Sequence, residues 1–339
     1  MSHQNQQPAV TVPVLYGVGS GGSRIAAAAV TGVGPGGRRI SQRLGNIEAV
    51  CISSSRMDIE SLKPYVERWL YVIGDGTGSG MNPEKGRRDY LDHPSRKEIT
   101  DVPKKVAEEK GLERIDLIPV IFTAGFGCGS GAGPELLADL TKAYPGSAVI
   151  GICTLPFSWE GPETRKRALK ALERACRHTP TIPASNSYLI GEALNIDFAK
   201  ALNVVNEKMV RPLTATLRAF SNPRAVTAID SSDLRRVLKP GPVLAMHWSL
   251  PSPAEIANLS SYNSSTLVPV QKGFGKVSSI AVIEAGGRGL TAAAAEALPE
   301  QLSQILQAKI SEIKTLITIR PESEKTYVTI LVGGVKLYA

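Results

Sequence analysis

The first half of the chain alternates short, almost wholly apolar runs with longer stretches whose apolar residues recur at helical spacing. "VPVLYGVG" (Val12–Gly19), "IEAVCISS" (Ile47–Ser54), "DLIPVIF" (Asp116–Phe122) and "SAVIGICTLPF" (Ser147–Phe157) read as strands. "SRIAAAAVTG", a segment through Lys104–Lys110 and "PELLADLTKAY" read as helices between them. Strands that are apolar on both faces and separated by helices predict a parallel sheet covered on both sides. Proline donates nothing to a ladder, so Pro13 and Pro119 predict strand starts or breaks.

The periodicity then lengthens. Asp197–Phe220 reads as one long helix that Pro212 kinks or divides. Residues 240–275 are rich in Pro, Ser and Asn. "KVSSIAVIEAGG" follows as a strand, then a helical stretch from Leu290 to Leu316, then strands "LITIR" and "KTYVTILVGG". Leu302, Ile305, Leu306 and Ile313 fall on one face of that helical stretch. The expected architecture is α/β. A disordered arm (1–10) precedes a Rossmann-like parallel-sheet domain (11–196). A central helix (197–221) then leads to a smaller C-terminal α/β domain (222–339).

Composition adds limits. With 42% hydrophobic and 21% charged residues, the 339-residue chain has material for a core in each of two domains. No apolar run reaches bilayer length, and "MSHQNQQPAV" is unlike a signal peptide. Cys51, Cys128, Cys153 and Cys176 form no CxxC pair, and His3, His93, His178 and His247 are scattered. The expectation is a cytoplasmic protein with reduced thiols and no metal site made of protein ligands. The net charge of +8 permits contact with an anionic surface or an acidic partner. The basic runs "KGRRDY", "SRKEITDVPKK" and "TRKRALKALERACR" are expected to be solvated faces. With 5% aromatics and none interleaved with these runs, nothing points to specific nucleic-acid binding.

Candidate chemistry lies at two glycine-rich stretches, each between a strand and a helix: "GVGSGG" (Gly17–Gly22) and "GCGSGAG" (Gly127–Gly133). Amides at a helix N-terminus attract anions, and glycine keeps a Cβ out of the way. Two such turns on one sheet edge suit a polyphosphate. Neither carries the lysine of GxxxxGK[ST], which argues against an ordinary P-loop. A dinucleotide-dependent oxidoreductase is the alternative for GxGxxG. It needs an acidic residue closing the second strand, where this chain has "CISSS", and it leaves the second glycine turn unexplained.

Five motifs in order carry a resemblance. "GVGSGGSR" resembles the first phosphate loop of the tubulin and FtsZ superfamily, and "GCGSGAG" its GGGTGTG signature. "GSGMNPEKGRR" is similar to GAGANPExGRR, "TLPFSWEG" to TxPFxFEG and "IDSSDLRRVL" to DFADVxxVM. The resemblance spans Val12–Val332. It implies a GTPase domain with a GTP/GDP site. Ser20, Gly21, Gly22, Ser23 and Arg24 would line the first phosphate loop. Gly127, Gly129, Ser130 and Gly131 would hold phosphates through backbone N–H groups and the Ser130 hydroxyl. Gly80, Met81 and Asn82 would close over the nucleotide. Glu160 would accept from the ribose, Asn206 would read the guanine edge and Asn186 would assist. Magnesium would come on phosphates and water.

The resemblance also implies head-to-tail polymerisation of the chain with itself. Asp230 and Asp233 of one subunit would complete hydrolysis in the next. From the residues alone, "DSSD" reads first as a helix cap, and the resemblance reverses that order. A role in division, shape or cargo positioning would follow, with a membrane met through an adaptor or the basic surface. The match departs from the family at several positions. Leu202 stands where an aromatic packs on guanine. Thr164 stands where an arginine follows the EG, with Arg165 as its neighbour. "SSS" (Ser53–Ser55) replaces NTD, and Ala228 replaces an asparagine.

Overall fold

The structure, a computed structural model, describes residues 12–33, 47–191, 197–221, 225–227, 229–270, 272–287 and 290–336. The expected arm 1–10 and Ala228 lie outside the described residues.

The chain runs β1 (Val14–Val18), α1 (Gly19–Thr31), β2 (Glu48–Ser53), α2 (Arg56–Glu60), β3 (Leu70–Val72), α3 (Pro83–Leu91) and α4 (Arg96–Lys110). It continues β4 (Leu117–Thr123), α5 (Cys128–Ala143), β5 (Ala148–Leu155), α6 (Pro162–Cys176), β6 (Pro180–Ser185) and α7 (Asn186–Ile190). Next come the long helix α8 (Phe198–Phe220), α9 (Ser231–Val237) and β7 (Gly241–Pro242). The seven strands form a parallel sheet in the order β3-β2-β1-β4-β5-β6-β7.

The apolar runs are buried on both faces because helices cover both. Leu15, Ile121 and Ile150 pack with Ile25 of α1 and with Val205 and Met209 of α8. Val14, Tyr16 and Val120 pack on the other side with Ile99 and Val102 of α4, Leu136 of α5 and Ala168 of α6. Tyr16 donates its hydroxyl to the Ile99 carbonyl at 2.8 Å, which satisfies a polar group carried into that layer. The basic helix α6 buries Ala168, Ala171 and Ala175 and keeps Arg165, Lys166 and Lys170 exposed, as expected of a solvated face. Pro13 precedes β1. Pro119 lies within β4, one residue before the pairing with β1 begins at Val120, so no β1 bond needs its missing N–H.

The chain after α8 first returns to this sheet. α9 docks beneath it, with Ser231 Oγ donating to the Gly146 carbonyl at 2.8 Å, and β7 becomes the edge strand beside β6. The remainder forms a second sheet from β8 (Leu244–Leu250), β9 (Ser265–Thr266), β10 (Lys276–Gly286), β11 (Lys309–Arg320) and β12 (Thr326–Gly333). Its order is β11-β10-β12-β8-β9, parallel only between β10 and β11. Helices α10 (Ala292–Glu296) and α11 (Leu298–Leu306) pack against it. α8 runs unbroken through Pro212. It is tied to the second sheet where Arg218 Nε donates to the buried Glu284 carboxylate at 2.9 Å.

One expectation is corrected. The helical stretch expected to reach Leu316 ends at Leu306, where Gln307 turns left-handed at φ 48°. Ile313 therefore lies on β11, whose alternating residues "KISEIKTLITIR" carry period two rather than 3.6. Within the Pro/Ser/Asn-rich stretch the chain places β8, buried at Leu244, Met246, Trp248 and Leu250.

Candidate nucleotide site

β1 and β4 are neighbours, yet the chain leaves β1 toward β2 on one side and β4 toward β5 on the other. The place beyond the strands' carboxyl ends at such a reversal is the usual ligand position in open α/β sheets. Both glycine turns stand there. Gly19, at φ +76°, swings the chain from β1 into α1, and a Cβ on it would lie 3.0 Å from the amide nitrogen of Gly129. The first turns of α1 and α5 therefore touch. The first N–H groups of a helix have no intrahelical partner, so two sets of amides converge on one place.

The abundance of glycine has a further cause. A Cβ on Gly21 would stand 2.3 Å from Thr123 Oγ1, on Gly22 2.5 Å from the Ile121 carbonyl, and on Gly129 2.2 Å from the Thr123 carbonyl. One on Gly127 would meet Ser79 at 2.5 Å, and one on Gly131 the Pro83 carbonyl at 2.2 Å. The bare Cα sides let α1 and α5 press on β4 and let α3 cross α5. What these turns offer a ligand is their amides. Ser23 is buried and donates to the Gly17 carbonyl at 3.0 Å, stapling α1 to β1. Ser20 is half-buried, and Arg24 is exposed, 3.8 Å from Asp58. Ser130 is buried, and its hydroxyl accepts the Gly125 N–H at 2.7 Å.

The loop before α3 holds Gly80 in open space and Met81 at φ +60°, 53% exposed. Asn82 caps α3, its Oδ1 accepting from the amides of Glu84 at 3.0 Å and Lys85 at 3.2 Å. Lys85 fastens the loop by donating to the Gly78 carbonyl at 2.9 Å.

Beyond β5, Glu160 accepts the Phe157 N–H at 2.6 Å. Burial pushes its carboxyl above the usual range, and the Phe157 amide draws it partly back. Asn186 opens α7 with its Oδ1 buried and unpartnered. Leu202 packs against the core from α8, where Asn206 is half-buried. Arg165 is exposed. The arginine that reaches the glycine loop is Arg167, whose Nε donates to the Gly125 carbonyl at 2.9 Å and whose Nη2 donates to Thr164 Oγ1 at 3.1 Å. Sequence reasoning missed it, although i, i+3 spacing puts Arg167 on the face of Thr164. It also missed Thr123 Oγ1 and Asn203 Oδ1, both buried without a partner. A hydroxyl closing the strand before a glycine loop was the available signal for Thr123.

Asp230 and Asp233 lie elsewhere. α9 docks on the turn before β5, at the amino end of the sheet. The glycine turns are at the carboxyl end, roughly 25 Å away along an eight-residue strand. Asp230 is the N-cap of α9, its Oδ1 accepting from the Asp233 amide at 2.8 Å and the Ser232 hydroxyl at 2.6 Å. The Ser232 hydroxyl, then the Asp233 amide, hold its carboxyl below the ordinary value. Asp233 Oδ1 pairs with Arg236 at 3.0 Å and with Lys314 of β11 at 3.3 Å. Among the described residues no group of three His, Cys, Asp or Glu side chains is placed to hold a metal ion. None of their helices is long and apolar enough to cross a membrane.

A doubly wound sheet with paired glycine turns at its reversal point, joined by a long helix to a second mixed sheet, defines an FtsZ-like α/β protein. The comparisons with known proteins agree with that class. The chain is 25% identical over 327 residues to the cell division protein FtsZ 1 of Pyrococcus furiosus, covering 95% of this chain and 81% of that protein. It is 28% identical over 231 residues to FtsZ 1 of Thermococcus kodakarensis, covering 68% of this chain and 56% of that protein. The GDP-bound monomer of CetZ1 from Haloferax volcanii superimposes with a TM-score of 0.74 at 18% identity, over 96% of this chain and 94% of that one. The GTPγS-bound protofilament of CetZ2 from the same organism gives 0.72 at 19% identity, over 96% and 93%. No protein-family model matches the chain. The likeness, in sequence and in fold, is to the FtsZ/tubulin superfamily.

Proposed function

We propose that this protein binds GTP in the crevice between β1 and β4 and polymerises head to tail, so that α9 of one subunit completes hydrolysis in the next. The observation that carries the reading is the contact of the two glycine turns at one edge, with the DSSD helix at the opposite edge. A carboxylate on its own subunit's polyphosphate would repel it. Supplied by a neighbour, it makes turnover depend on assembly. The amides of Ser20–Ser23 and of Cys128–Gly131 hold the phosphates, and the orphaned Thr123 hydroxyl gains a partner there. Glu160 takes the ribose. Asn186 and Asn206 take the base, where Leu202 gives contact without aromatic stacking. Magnesium arrives on phosphate oxygens and water. Solved neighbours bound to GDP and, as a protofilament, to GTPγS support this reading. The cellular role is division, shape or cargo positioning.

A second reading has one observation behind it. Asp233 is already paired with Arg236 and Lys314, which suits a nucleotide-binding assembly partner without turnover. Phosphate release measured against protein concentration, with pelleting in parallel, separates the two. The proposal expects turnover above a threshold concentration together with GTP-dependent pelleting. Turnover strictly proportional to concentration, without polymer, defeats it. Tight GTP binding without phosphate release favours the second reading.

A further inference from the structure

The glycine loop after β4 is clasped at one residue. Gly125 sits at φ +99°, a region glycine alone enters readily. Its N–H goes to Ser130 Oγ at 2.7 Å and its carbonyl accepts from Arg167 Nε at 2.9 Å. Its Cα lies against α6, where a Cβ would stand 2.8 Å from Thr164 Cγ2 and 3.1 Å from the Thr164 carbonyl. Arg167 Nη2 donates to Thr164 Oγ1 at 3.1 Å, which fixes the plane of the guanidinium, and Thr164 is 3% exposed. α6 starts directly after Gly161, so the clasp joins the segment carrying Glu160 to the loop leading into α5.

We infer that Arg167 is a positioning residue for the phosphate loop. It holds the Gly125 carbonyl and so presets the amides that follow, instead of placing a cation on the nucleotide. The edge of the guanidinium formed by Nε and Nη2 is spent on the protein. A guanidinium bound this way acts on the loop before any ligand arrives. It therefore contributes equally whether the ligand carries two phosphates or three. The inference rests on the nucleotide reading above.

Equilibrium binding of GDP and of GTPγS to the full chain and to Arg167→Met tests it. Both nucleotides are expected to weaken by the same factor, about tenfold, the size of one charge-assisted hydrogen bond. Arg167→Lys, which can reach one carbonyl but cannot span both acceptors, is expected to recover part of that loss. Thr164→Val keeps the methyl contact with Gly125 and removes only the hydroxyl. It is expected to shift both nucleotides in the same direction by less, and it serves if Arg167→Met does not fold. Loss confined to GTPγS overturns the inference, because the guanidinium then touches the third phosphate. So does unchanged binding with only a lowered Tm, which makes the clasp a structural tie. If the unaltered chain binds neither nucleotide, the nucleotide reading falls and this inference with it. If it binds both and the variants bind as well, only the inference falls.

Discussion

The two edges of the first sheet are built in opposite ways. At the carboxyl edge the N-termini of α1 and α5 meet, and Thr123 and Asn186 keep buried polar atoms without partners. At the amino edge, α9 is self-sufficient: Asp230 caps it, Asp233 is held by two cations, and Ser231 and Arg235 bond to the turn beneath. Unpaired buried groups are costly, about 1–3 kcal/mol each, so those at the carboxyl edge fit a site that a ligand completes. The carboxyl edge thus points to a ligand by what it leaves unfinished. The amino edge is stable as it stands, and chemistry there must be argued from its relation to another subunit.

Gly131→Ala should have the largest effect. Its Cβ meets the Pro83 carbonyl at 2.2 Å and the Arg87 amide at 2.4 Å, backbone that cannot step aside. A loss of about 3 kcal/mol in urea unfolding is expected, at the upper end of overpacking costs. A loss within experimental error would return these glycines to a purely ligand-driven explanation. Asp233→Asn probes the other edge. Nucleotide affinity should stay constant while phosphate release in polymer falls about 100-fold, the lower range for a lost acid–base or water-orienting group. Unchanged release would leave Asp233 as the anchor of Arg236 and Lys314 and nothing more.

Asp230→Ala should cost about 1 kcal/mol of stability as a lost cap, and Asp230→Ser should restore it. If the serine variant is stable but turns over slowly, the carboxylate has a second task besides capping. The smallest effect is with pH. The folded-state pKa of Asp230 lies below its unfolded value, so the ionised cap contributes fully above about pH 4 and is lost as pH falls through the folded pKa. The stability gap between the unaltered chain and Asp230→Ala should therefore close on acidification. A gap that widens would reverse the assignment.

Much of the first sheet was legible because parallel strands buried on both faces leave continuous apolar runs. The glycine turns were legible too, though half of their cause was not. "GCGSGAG" carries no mark of the α3 crossing that forbids a side chain at Gly131. Residues 309–320 misled because Leu302, Leu306 and Ile313 extend a helical period by accident past Gln307. Arg165 was the nearer match in sequence. Arg167 reaches the loop because helical geometry, not adjacency, decides which side chain shares a face with Thr164. The ion pair between Asp233 and Lys314 joins residues that only the second sheet brings together.

One feature of α9 has a mechanical side. Ser231 and Arg235 moor the helix to the turn before β5, while Asp233 and Arg236 moor it to Lys314 and Glu312 on β11. The helix is a tendon with two attachments on each sheet. A rotation of the second sheet against the first has to slacken one attachment or drag the helix along. The Asp233 and Arg236 side chains would be displaced before Ser231 and Arg235, because they sit on the sliding side of the joint.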